Sequence, residues 1–214
     1  MNPYLSDFME VIRSERRFES LRFVLDKLES GKVGILELYE EILTPALNEM
    51  VPTGVENVDI WKEHVRTSII KTILENVYPY VIKEREAAGK SQGKTVAVLC
   101  PPEEYHDVGA RMAADIFALS GYNAIFVGGN TPLRVVEGGL ASGEIDYVAI
   151  SVSNPYHLIS TRNMIESIRA AHPGVKVVVG GNAIVKVGER SLQLGADYIT
   201  HSLEEIGRLE EVKA

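Results

Sequence analysis

The sequence predicts an α/β protein in two parts: an N-terminal four-helix bundle over residues 1–90, then a doubly wound parallel-sheet domain over residues 91–214. Three observations carry this expectation. Apolar residues recur at helical spacing through the first part. The small, polar stretch Ala87–Gly93 then reads as a linker. Beyond it the period changes to short β-branched runs that alternate with helical segments.

In the first part, a helix is expected around Leu5 to Arg16. Leu21, Val24, Leu25 and Leu28 stand at i, i+3, i+4 and i+7, which makes one apolar face, and Gly31 ends that helix. Ile35, Leu38, Tyr39, Ile42 and Leu43 give a further stripe towards Met50, before Pro52 and Gly54 interrupt the pattern. Val65, Ile69, Ile73, Val77 and Val81 give a longer stripe from about Val58. Four helices on short connections imply an antiparallel bundle.

In the second part, strands are expected at Thr95–Leu99, Ala124–Val127, Tyr147–Ser151 and Val175–Val179, with the weakest at Asp197–Thr200. Helices are expected at Val108–Ser120, Leu133–Ser142, Leu158–Ala171, Ile184–Leu194 and Leu203–Val212. Strands that are apolar throughout belong to a parallel sheet covered on both faces. Five strand–helix units fit a flavodoxin-like, Rossmann-type sheet of order 2-1-3-4-5.

Composition narrows the function classes. The chain has 214 residues, 45% hydrophobic and 24% charged, as ordinary globular proteins do. A net charge of −8 argues against direct, sequence-independent nucleic-acid binding. It leaves a protein partner or a homo-oligomer open. The single cysteine, Cys100, excludes an intramolecular disulfide and fits a reducing compartment. No apolar run approaches membrane-spanning length, and the N-terminus has no signal-peptide plan, so a cytoplasmic protein is expected.

Ligands of such sheets bind beyond the carboxyl ends of the strands, at the switch point between the first and third. The loop after the first strand holds Glu104, His106 and Asp107 and leads through Gly109 into a helix. The loop after the third holds Ser151, Ser153 and Asn154, and that after the fourth holds Gly180, Gly181 and Asn182. A Walker-type phosphate cradle is absent, as is a G-x-G-x-x-G after the first strand. The third strand ends in Ser151, not the aspartate of a phosphoacceptor receiver. The first loop is Pro-Pro-Glu-Glu, not the Ser/Thr-rich loop that a flavin phosphate needs.

Glu104-x-His106-x-x-Gly109, then Ser151 after the third strand, then Gly180-Gly181 after the fourth, resemble the motifs of the cobalamin (vitamin B12)-binding domain family. The helical part resembles the cap that precedes this domain in corrinoid methyl-transfer proteins and cobalamin-dependent light-sensing regulators. The resemblance runs from about Ser20 to Glu205. It implies cobalamin as cofactor, in adenosyl, methyl or hydroxo form, with His106 as the metal ligand that displaces the cofactor's own base. It places the nucleotide tail beside Ser151, Ser153 and the glycine pair. A ligating imidazole needs its other nitrogen held by an acceptor, and Glu104 and Asp107 are both near enough in sequence.

Some positions depart from the pattern. Glu104 stands where methyl-transfer members usually carry aspartate; glutamate at this position resembles the regulatory members. Ser153 stands where the family has leucine, and His157 where some methyl-transfer members carry serine. The pair Glu63-His64 resembles one that faces the upper side of the corrin in regulatory members, although Thr53 replaces their tryptophan. Trp61 and His64 can equally be packed bundle residues. Cys100 reads as a small buried residue, and the acidic segment Glu204–Glu211 as a solvated helix face.

Two roles follow from the resemblance. The first expectation is a sensory or regulatory module acting through a signalling protein. The alternative is a methyl carrier serving methyltransferase partners. Neither requires a complete catalytic site in this chain. A mutase subunit fits less well, because such subunits usually lack the bundle.

Overall fold

A computed structural model describes residues 2–211. The chain forms two compact units that divide between Glu84 and Arg85. Among the described residues no helix is long and apolar enough to cross a membrane.

The first unit is helical. Helices α1 (Leu5–Arg13) and α2 (Arg17–Glu29) are followed by α3 (Ile35–Glu37), a π-helical stretch (Leu38–Leu43) and α4 (Thr44–Asn48). Helix α5 (Glu56–Ala88) runs on past the unit boundary. The predicted stripes form the core: Ile35, Leu38, Tyr39, Ile42 and Leu43 are buried, as are Ile69, Ile73, Val77 and Val81 of α5. Burying each such side chain contributes roughly 1.5–3 kcal/mol, which is what holds these helices together.

Three details differ from the sequence expectation. The π-helical stretch was not foreseen. Pro45 follows it and has no N–H to donate to the carbonyl of Glu41, which loosens the α-helical ladder there. Helix α5 takes in Ala87 and Ala88, the first two residues expected in the linker, because alanine favours helix; Gly89, at φ +59°, ends it. Trp61 and His64 are exposed and are not packed into a helical core. In addition, Arg66 is buried and its Nη1 donates to the Ala46 carbonyl at 2.8 Å, filling an acceptor left open in the last turn of α4.

The second unit carries a five-stranded parallel sheet of order β2-β1-β3-β4-β5, as expected. Its strands are β1 (Thr95–Leu99), β2 (Asn123–Gly128), β3 (Tyr147–Ser151), β4 (Lys176–Gly180) and β5 (Tyr198–Ile199). The helices between them are α6 (Val108–Leu119), α7 (Leu133–Ser142), α8 (Leu158–Ala171) and the short α9 (Asn182–Val187). Aspartates before two strands pin the register. Asp146 accepts from the Thr95 N–H at 2.8 Å, and Asp197 from the Val177 N–H at 2.9 Å.

Strands β1 and β3 are apolar and buried, but β2 is not covered on both faces. Ile125 and Val127 remain half-exposed. Helix α7 directs Val136 and Leu140 onto the cluster that includes Leu99, Val148 and Ile150, which leaves an open apolar groove of about 630 Å³ beside the edge strand. The helix expected over Ile184–Leu194 is also broken. Gly188 adopts φ +56°, so α9 stops at Val187 and 3-10 turns take over. The last expected helix is a 3-10 segment, Glu204–Glu211, interrupted at Arg208. The expected end of that helix at Val212 lies outside the described residues.

Candidate functional site

The loop after β1 is shaped by its sequence. Cys100 adds one last ladder bond, its N–H donating to the Gly128 carbonyl at 2.9 Å. Pro101 and Pro102 have no N–H and end the pairing. Glu103, at φ +68°, turns the chain, and the Glu104 N–H closes the turn onto the Pro101 carbonyl at 3.1 Å. The Glu104 side chain then points into the protein, where it is 0% exposed.

The buried carboxylate gathers donors from two loops. Its Oε1 accepts from the His106 N–H at 3.1 Å and lies 2.6 Å from His106 Nδ1. Its Oε2 accepts from the Ser153 N–H at 3.0 Å and the Asn154 N–H at 2.9 Å. Burial pushes the Glu104 carboxyl up, but the His106 ring and the three backbone N–H groups outweigh it and lower the pKa from 4.5 to about 2. Glu104 is therefore ionised at neutral pH and can only accept. The proton in the short contact belongs to His106 Nδ1, so in the neutral ring the lone pair resides on Nε2. The His106 side chain is 57% exposed. Its carbonyl accepts from Ser153 Oγ at 3.4 Å and, more weakly, from Cys100 Sγ at 3.8 Å. Cys100 is buried, as expected.

Most of the predicted residues come together at this edge. Gly109, in the first turn of α6, faces Ser151, with 3.6 Å from its missing Cβ position to Ser151 Oγ. A methyl group would fit there, so packing within the chain does not demand glycine at 109. The glycine pair is different. A Cβ on Gly181 would lie 2.5 Å from the Val152 carbonyl oxygen, and one on Gly180 would lie 2.5 Å from Thr200 Oγ1. The chain's own backbone and Thr200 require these glycines, whatever binds beside them. Asp107 opens α6 and lies against Gly129; of the two candidate acceptors, Glu104 is the one that holds His106 Nδ1. Glu63 and His64 are exposed on α5, in the helical unit.

Other residues of the site were not singled out from the sequence. Asn130, at φ +47°, bonds both Glu103 and Glu104. Thr131 is buried, and its N–H donates to the Cys100 carbonyl at 3.1 Å. Thr200 closes against Gly180. Gly-Gly-Asn-Thr-Pro at 128–132 signals a turn, and asparagine tolerates positive φ, but nothing local says which loop it meets.

The arrangement suits a metal that would take a single imidazole from the protein. An imidazole fixed in one tautomer by a buried carboxylate is such a donor. A ring so held can present Nε2 in a fixed direction. The exposed Tyr105 and Tyr156, 69% and 89% accessible, offer apolar area beside the same loops.

The family model described as the B12 binding domain matches residues 94–206, more than half of the chain. No curated protein sequence matches it. Among solved structures, the chain is similar to the monomethylamine corrinoid protein of Methanosarcina barkeri, with 16% identity, a TM-score of 0.76 and 94% of each chain covered. It is also similar to a cobalamin-binding protein from Desulfitobacterium hafniense, with 16% identity, a TM-score of 0.50, and 88% of this chain and 75% of that one covered. The methanol:cobalamin methyltransferase complex of Methanosarcina barkeri contains a further similar chain, at 13% identity and a TM-score of 0.50, with 94% of this chain and 75% of that one covered. At these identities the likeness is one of fold. The family match identifies the chain itself: it belongs to the B12-binding domain family, and cobalamin is its cofactor.

Proposed function

We propose that this protein is the corrinoid carrier of a methyltransferase system and that His106 Nε2 would hold the cobalt in place of the cofactor's own base. The observation that carries the ligand assignment is the Glu104–His106 pair, an exposed ring fixed at 2.6 Å by a fully buried carboxylate. Bound cobalamin supplies a cobalt centre that can accept and release a methyl group. The chain's residues orient and hold it. Glu104 fixes the ring and draws the loops after β1 and β3 together. Gly109, Ser151, Ser153 and the glycine pair, gathered at the same sheet edge, would hold the displaced nucleotide tail. Likeness to a monomethylamine corrinoid protein over 94% of both chains supports the carrier ahead of the sensor that the sequence put first. On this reading the partner is a methyltransferase.

Electron paramagnetic resonance tests the ligand. Protein labelled with heavy nitrogen is loaded with unlabelled cobalamin, and cobalt is reduced to its paramagnetic divalent state. A protein imidazole splits the cobalt lines into doublets, whereas the cofactor's own base gives triplets. Doublets are expected, and His106→Ala is expected to abolish them while corrin binding weakens but persists. Doublets that survive in His106→Ala would remove the assignment.

Gly109→Ala probes the tail slot. The free protein is expected to hold its stability or gain up to about 1 kcal/mol, since glycine is unfavourable in a helix. Cobalamin affinity is expected to fall about tenfold or more, because overpacking costs about 1–3 kcal/mol. Unchanged affinity by titration would move the tail away from Gly109 and Ser151.

One observation favours the sensor as a second reading: Glu63 and His64 are solvent-exposed on α5, as residues facing a ligand or partner need to be. Size-exclusion chromatography of the adenosylcobalamin-loaded protein separates the roles. An assembly change on illumination supports the sensor. Methyl transfer to and from a methyltransferase partner, with unchanged assembly, supports the carrier.

A further inference from the structure

We infer that Asn130, in the loop after β2, is a positioning residue for the cobalt-ligand loop: it clamps the backbone of Glu103 and Glu104 and so sets where His106 presents its ring. The inference rests on the proposed ligation by His106 and goes beyond it, to a residue one helix and one strand further along the chain than the ligand motif.

Two hydrogen bonds make the clamp. The Asn130 N–H donates to the Glu104 carbonyl at 2.7 Å, and Asn130 Oδ1 accepts from the Glu103 N–H at 2.8 Å. Both turns use left-handed backbone, Glu103 at φ +68° and Asn130 at φ +47°, conformations that side chains other than glycine and asparagine adopt reluctantly. The loops are also in close contact. A Cβ on Gly129 would lie 3.3 Å from both the Glu104 carbonyl oxygen and the Asp107 Cβ. Next to the clamp, the Thr131 N–H holds the Cys100 carbonyl at 3.1 Å, and the buried Thr131 hydroxyl donates to the Gly128 carbonyl at 3.1 Å.

Glu104 is thus held at both ends. Its carboxylate is fixed by the loop after β3, and its main chain by the loop after β2. Fixing only the carboxylate leaves the segment from Glu103 to Tyr105 free to pivot about it. Fixing the main chain as well removes that freedom, and His106 follows Glu104 by only two residues. A ligand must stand within a few tenths of an ångström of its place to bond well, so a support of this kind acts on the metal without touching it.

The test compares Asn130→Gly, which keeps the positive φ at no cost but loses Oδ1, with Asn130→Asp, which keeps both the acceptor and tolerance of that φ. Heavy-nitrogen-labelled proteins are loaded with cobalamin and read by the same doublet, and the melting temperature of each cobalamin-free variant is recorded. Asn130→Gly is expected to shift the loaded protein about fivefold away from protein-nitrogen ligation, the effect of one lost hydrogen bond. Asn130→Asp is expected to retain wild-type ligation. An unchanged doublet in Asn130→Gly overturns the inference and leaves the clamp a purely structural contact, even if the melting temperature falls. Loss of the doublet in Asn130→Asp overturns it as well, and this arm decides alone if Asn130→Gly does not fold. Failure of the ligand reading itself looks different: the wild type gives no doublet, or His106→Ala keeps one.

Discussion

Glu104→Gln is expected to destabilise the cobalamin-free protein by about 3 kcal/mol and to remove the share of its acid-induced loss of stability that this carboxylate carries. The carboxylate accepts from both nitrogens named on His106 and from the N–H groups of Ser153 and Asn154, with no exposure to water. A carboxamide keeps one acceptor oxygen and turns an NH2 towards the other donors. A buried donor left without an acceptor costs roughly 1–3 kcal/mol, and more than one is affected here. The pH dependence gives an independent figure. The folded pKa of about 2 lies below the ordinary 4.5, so the stabilisation is complete above pH 4.5 and is lost as pH falls towards 2. A shift of that size corresponds to roughly 3 kcal/mol. Urea unfolding between neutral pH and the acid limb measures both quantities. A change under about 1 kcal/mol in Glu104→Gln would contradict the role given to the carboxylate. The same variant also loosens the tautomer of His106, so loaded protein is expected to lose ligation in parallel with stability.

Gly181→Ala is expected to destabilise the sheet domain by about 3 kcal/mol or more. Gly181 adopts φ +109° and ψ 173°, a backbone region open in practice to glycine alone. Its missing Cβ position lies 2.5 Å from the Val152 oxygen and 2.9 Å from the Val152 nitrogen. Neither atom can retreat easily. The Val152 N–H donates to the Gly180 carbonyl at 2.9 Å, and the Val152 carbonyl accepts from the Ala183 N–H at 3.0 Å. Backbone strain of about 1–3 kcal/mol and overpacking of similar size add to about 3 kcal/mol or more. Domains of this size have stabilities of only about 5–15 kcal/mol. Thermal unfolding of the cobalamin-free variant measures the loss, and native-like stability would contradict the turn described. Together with Gly109→Ala, this separates two uses of glycine in one site. At 181 the protein's own backbone requires it, whereas at 109 a methyl group would meet Ser151 Oγ at an ordinary contact distance of 3.6 Å.

The local pattern carried much of the fold. Alternating strands and helices, the order 2-1-3-4-5 and the grouping of three polar loops at one edge depend on periodicity and handedness, and those are written in neighbouring residues. The motif residues Glu104, His106 and Gly109 were legible for the same reason, since their spacing is local.

Neighbouring residues set the order of elements, the apolar faces, the sheet edge that carries the candidate site and, through its motifs, the B12-binding family. Tertiary structure decided which acceptor holds His106, because Glu104 and Asp107 both stand within two residues of it along the chain and burial against Ser153 and Asn154 distinguishes Glu104. It decided that the glycine pair closes on Val152 and Thr200, that β2 keeps an open face, and that Asn130 meets Glu103 and Glu104. The physical reason is common to all of these. Periodicity is set by residues within a turn or two, but a loop side chain takes its partner from whatever the folded chain brings within about 3 Å, which for Glu104 and Asn154 spans 50 residues of sequence.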